Sequence, residues 1–136
     1  MKYRLVVVII MTFLYSTTAK ADYNLEEKAE NLVSQYLVAL IQGDTELLLG
    51  SIGGDFLESR RILLQNPDYP TYLTEVYTGA SASVTGSRQL SANSVEVDAV
   101  IEKTADEKID LIFLVEVVKE KEKKLLIVAE QGAEKQ

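Results

Sequence analysis

Apolar residues recur at helical steps in the first half of the chain and at alternate positions in the second. Over residues 24–41, Leu25, Ala29, Leu32, Val33, Tyr36, Leu37, Leu40 and Ile41 fall on one stripe at three- and four-residue steps. Glu26, Glu27, Glu30, Asn31, Ser34 and Gln35 take the other face, so the spacing predicts an amphipathic helix lying on a core. Asn24 stands where it would cap the first turn, with Glu27 three residues on to complete a capping box. Gly43 supplies the stop, because glycine enters the left-handed region without steric cost.

Shorter helices follow. One starts at Asp44 and runs through Leu47, Leu48 and Leu49 before the glycine-rich break at residues 50–54. Asp55 reopens a helix, with Glu58 in capping-box position, and Pro67, Asp68, Tyr69 and Pro70 end it. Tyr72, Leu73, Val76 and Tyr77 form a further helical stripe closed by Gly79.

Beyond Gly79 the period becomes two. Ala80, Ala82 and Val84 alternate with small polar residues; Val95, Val97, Ala99 and Ile101 alternate with Glu96, Asp98, Val100 and Glu102. Ile109, Leu111, Phe113, Val115 and Val117 make a third run, and residues 125–129 a fourth, with short polar connections between. Such runs predict consecutive antiparallel hairpins. Helices first and strands after predict an α+β domain: a long N-terminal helix and short helices packed on an antiparallel sheet of about four strands. Residues 22–130 form that single domain, and residues 131–136 read as a loose tail.

The alternation breaks down in one respect. Val100, Ile112, Leu114, Val118, Leu126 and Val128 face opposite to the core row, yet they too are apolar. Either local elements cover this second face, or it is an interface, and a homodimer built face to face through the sheets is the expectation for it.

The first 21 residues follow another logic. Lys2 and Arg4 give a positive start, residues 5–14 an apolar run interrupted by Thr12, and Ala19-Lys20-Ala21 the small residues of a cleavage site. A membrane-spanning helix needs about 20 apolar residues, and this run is half that, so a cleaved secretory signal is expected, with a product exported to the periplasm or secreted. Removing residues 1–21 takes away Lys2, Arg4 and Lys20 and deepens the net charge from −7 to −10. So acidic a chain lacks the basic footprint nucleic acid requires, and an anionic membrane surface repels it. There is no cysteine, which excludes disulfides and a lipid anchor on cysteine.

The order of elements resembles the nuclear transport factor 2-like group of cystatin-like α+β folds. The stretch YLVALIQGD at residues 36–44 is similar to the family's helix ending, and NPDYPTYLTEVYTGA at residues 66–80 resembles the segment leading into the sheet in exported bacterial members. The resemblance implies a curved sheet wrapped around the long helix to make a cone with a pocket. This chain departs from the family in having no tryptophan in its last strand, where Leu125, Leu126 and Ile127 stand. The family contains isomerases and many members without catalytic activity, so the residues must decide.

Histidine and cysteine are both missing from the sequence. This removes the usual acid–base residue near neutral pH, the thiol nucleophile and the ligands of a typical zinc site. No metal-ligand spacing and no phosphate-binding loop is present, and no cofactor is expected. A carboxylate beside a tyrosine is the remaining acid–base possibility, but Asp98 shares a strand face with Glu96 and Glu102 and reads as solvated. The expected function is therefore a non-catalytic binding or assembly module whose partner is a second copy or another exported protein. The alternatives are a binder of a small apolar ligand, with Tyr36, Phe56, Tyr72, Tyr77 and Phe113 lining the pocket, and an isomerase-like enzyme.

Overall fold

The computed structural model describes residues 24–104, 106–119 and 124–132. Four helices come first: α1 (Leu25–Gln42), α2 (Thr45–Ser51), α3 (Gly54–Gln65) and α4 (Tyr69–Val76). Four strands follow: β1 (Ser81–Ser91), β2 (Ser94–Thr104), β3 (Glu107–Lys119) and β4 (Lys124–Gly132). The strands make one antiparallel sheet in the order β1-β2-β3-β4, each paired with the next in sequence. This is the α+β arrangement that the change of period implies. The expected signal segment, residues 1–21, lies outside the described residues.

The helix ends show which local signals act. Gly43 adopts φ 71° and closes α1, with Asp44 N–H donating to the Ala39 carbonyl at 2.9 Å. The Asp44 side chain accepts from Leu47 N–H at 3.2 Å and caps α2. Two expected capping boxes do not form. Asn24 has φ −74° and ψ 4°, already close to helical, and its side chain makes no cap hydrogen bond. α3 starts at Gly54, ahead of Asp55, with extended Gly53 as its cap residue, and Glu58 pairs with Arg61 at 2.8 Å instead. Pro70 lies in the first turn of α4, where a missing N–H costs nothing, so the proline that reads as a terminator also helps to start the next helix.

The core lies between the helices and one face of the sheet. Val95, Val97 and Ile101 of β2, Phe113 and Val115 of β3 and Ile127 of β4 are buried there against Ala29, Val33, Tyr36 and Leu37 of α1. α1 packs on β1, β2 and β4, and α3 on β4. Both sheet edges receive cover from the helical half. Ile52 makes a parallel bridge to Ile127, and Gly53 N–H donates to the Ile127 carbonyl at 2.9 Å. On β1, Gln89 N–H donates to Glu26 of α1 at 3.1 Å, and the Ser87 hydroxyl donates to Glu30. Edge amides are thereby partly masked against foreign strands.

Two strand irregularities alter the face assignments. On β1, Val84 opposes Ala99 while Gly86 opposes Asp98, leaving Thr85 as an extra residue. On β4, Ile127 opposes Val115 while Ala129 opposes Leu114, so Val128 is extra. β4 runs on through Gly132, with Gln131 opposite Ile112, so residues 131 and 132, expected in the tail, belong to the sheet.

Candidate functional site

Two places on the molecule combine apolar surface with unusual polar chemistry. The first is the sheet face turned away from the helices. Register places Val100, Ile112, Leu114 and Leu126 on that face with Glu96, Asp98 and Glu116. Neither these four apolar residues nor Val118 and Val128 belong to the core cluster on the helix side. Val118 is 45 % exposed, Ile112 and Leu114 are part-exposed, and Val100 is buried among its neighbours on the sheet. Leu126 and Val128 are less open than their alternation suggests, because the start of α3 lies against them. A methyl group at Gly53 would fall 2.7 Å from Leu126 Cδ1, and one at Gly54 would fall 3.9 Å from Val128 Cγ1. The apolar centre of the face is thus on β3, at Ile112 and Leu114.

Charged residues flank that centre, and some of them are paired within the face. Arg88, turned outward by the β1 irregularity, forks onto Asp98 at 3.0 and 3.1 Å and also reaches Glu96. Both carboxylates raise the affinity of the guanidinium for its proton. Lys108 lies 3.8 Å from Glu102. These exposed pairs add little stability, and with Asp110 and Glu116 also on it the face keeps an acidic excess. Asp98 is therefore a surface ion-pair partner, as its solvated reading implies.

The second place is on the helix side. Tyr36, Phe56 and Phe113 come together, with ring centroids 6.4 Å apart for Tyr36–Phe56 and 5.6 Å for Tyr36–Phe113 in an edge-on arrangement. All three are buried. They form the floor of the site as part of the core, whereas the sequence reading puts them around a pocket mouth. Tyr77 is half-buried and lies at the rim. Tyr72 stands apart: it is 56 % exposed and stacks on Tyr69 at 5.7 Å, beside an open groove of about 380 Å³ lined with Leu63, Asn66 and Asp68.

Above the floor sits a carboxylate that alternation hides. Glu130 opposes Phe113, on the helix side of the sheet, and Tyr36 Oη donates to its Oε2 at 3.4 Å. Burial pushes the Glu130 carboxyl above its usual range, while Arg60 and the Tyr36 hydroxyl pull it partly back. Burial and the Glu130 charge together drive the Tyr36 phenol far above its ordinary 10.0. Tyr69 and Tyr77 are raised as well, chiefly by burial, and both feel the charge of Glu130. Arg60 lies over Phe56 at 5.5 Å, and Lys103 over Tyr77 at 5.8 Å. Glu130, Tyr69 and Lys103 are members of this site absent from the sequence reading. For Tyr69 the signal was its position between two prolines; for Glu130 there was none short of knowing the bulge.

Among the described residues no three metal-ligating side chains cluster, and no helix is long and apolar enough to cross a membrane. No protein-family model, curated protein or solved structure gives a match to this chain.

Proposed function

We propose that this chain is an exported module of the nuclear transport factor 2-like kind that acts by binding and assembly, and that it pairs with a second copy of itself through the outer face of its sheet. The observation carrying the reading is the position of Ile112 and Leu114: apolar, central on β3, and outside the core that the helices cover. An isologous pairing about an axis through β3 sets these side chains against their own copies, with the acidic Asp110 and Glu116 flanking them along the strand. The size is adequate. Strands of 11 residues, at about 3.3 Å per residue and roughly 4.8 Å between strands, give a face of about 700 Å², close to the ~800 Å² per partner of a standard interface.

Leu114→Lys places a charge at the centre of that contact. The expected result in a sedimentation experiment is a shift of the variant to the single-chain mass with an unchanged circular-dichroism spectrum. A Leu114→Lys protein that sediments like the parent would contradict the assignment.

A second reading, a small-ligand site on the helix side, is favoured by the Tyr36–Glu130 pair. A half-buried carboxylate over aromatic rings is poor packing for a core and good recognition chemistry for a ligand.

A further inference from the structure

The end of α3 and the start of α4 carry chemistry that neither the core nor the sheet face uses. Leu64 and Leu73 anchor the two helices in the core, and their sequence neighbours Leu63 and Tyr72 are exposed. Tyr69 and Tyr72 stand three apart on α4, so their rings meet on one face of the helix. The rings lie 18° from parallel with centroids 5.7 Å apart, an offset stack in which Tyr69 is half-buried and Tyr72 open to solvent. With Leu63, Asn66 and Asp68 they line the open groove of about 380 Å³, a volume in the range of small-ligand sites. Two polar groups of that lining are spare. Asn66 Oδ1 accepts from Asp68 N–H at 2.9 Å, which commits the oxygen and leaves the amide NH2 without a partner among the described residues. The Asp68 carboxylate makes no cap hydrogen bond and, among the described residues, no ion pair.

An ionised carboxylate only accepts hydrogen bonds, and an amide NH2 only donates them. A ligand that matches both must offer a donor and an acceptor side by side, and an apolar face for the rings. An anion would meet Asp68 with no cation in the lining to offset it. A proline-rich segment brings carbonyls without N–H groups and leaves the carboxylate unmatched. An ammonium group accepts nothing from Asn66. Vicinal hydroxyls each donate and accept, and a pyranose whose hydroxyls are equatorial turns a flat face of C–H bonds to an aromatic ring. We infer that this groove binds a neutral sugar, an equatorially substituted pyranose unit, with the Tyr72 ring under its C–H face and Asp68 and Asn66 on adjacent hydroxyls. Because the groove is open, the bound unit can belong to a longer glycan. The site uses neither the outer sheet face nor the Tyr36–Glu130 pair.

The test uses cellotetraose, whose glucose units carry only equatorial hydroxyls, and decaproline, each titrated into the purified protein and followed by two-dimensional NMR. Cellotetraose is expected to shift signals from Asn66, Asp68, Tyr69 and Tyr72. Tyr72→Ala should weaken its binding about tenfold, whereas Tyr72→Phe, which keeps the ring, should bind within about twofold of the parent. Asp68→Ala should weaken it about tenfold as well. Both positions are exposed, so the variants should keep the parent's circular-dichroism spectrum. Absence of shifts at tens of millimolar cellotetraose, or undiminished binding by either alanine variant, would overturn the sugar assignment. Decaproline shifting these signals in place of cellotetraose would also overturn it and give the groove to a peptide.

Discussion

Glu130 projects its carboxylate to the helix side because Val128 is an extra residue in β4, and every side chain after it changes face. Counted by plain alternation from Ile127, Ala129 would point inward and Glu130 outward. The positions of Leu126 and Ile127, before the bulge, follow the alternation; Ala129 and Glu130, after it, do not. A bulge leaves little trace in residue types, which is why this carboxylate is not legible in the sequence while Phe113, Tyr36 and Phe56 are. The shift at Glu130 also has a sign. Its carboxyl titrates above the ordinary 4.5 in the folded protein, so the native state holds its proton more tightly than the unfolded chain does. The stability tied to this group is fully present below the unfolded value and is lost as pH rises through the folded one. Glu130→Gln should therefore raise the melting temperature at neutral pH, and the gain should shrink towards about pH 4. Thermal melts over that range check it; a gain independent of pH would mean that ionisation of Glu130 is not the cause.

The corner between α1 and α2 is the best-specified joint of the helical half. Gly43 closes α1 at φ 71°, and a side chain there would meet the Pro70 carbonyl oxygen at 2.6 Å. Backbone conformation and close approach of α4 both require glycine at this position. Gly43→Ala should cost about 1–2 kcal/mol from the left-handed conformation alone, and more if α4 must move; urea unfolding measures it, and an unchanged midpoint would contradict this account. Apolar periodicity made the helices and strands legible, and so did Asp44, whose cap signal directly precedes its helix. A capping signal yields where a glycine competes with it. Gly53 and Gly54 lie against β4, and close packing there sets where α3 starts, overriding the Asp55–Glu58 signal. The Asn24 box fails because the residue is already nearly helical and the side chain cannot turn back on the first turn.

At the scale of the whole molecule, the helical half covers one face of the sheet and helps to close both edges, leaving the other face without a helical layer among the described residues. Its two-sided apolar pattern on β3 was legible from the sequence, since Ile112 and Leu114 alternate with Leu111 and Phe113. The covering of Leu126 and Val128 by the start of α3 was not, because it depends on a contact between segments some 70 residues apart. Charge bears on assembly as well. Loss of residues 1–21 would leave each chain at −10, so two copies repel one another until salt screens them, with a screening length of about 8 Å at physiological ionic strength. Association should therefore tighten as salt is added. The most direct measurement is the molar mass of the unmodified protein by light scattering across a range of concentrations and salt. A mass of two chains, persisting on dilution and favoured by salt, is the predicted result; a single-chain mass at every concentration and ionic strength would contradict the proposed pairing of sheet faces.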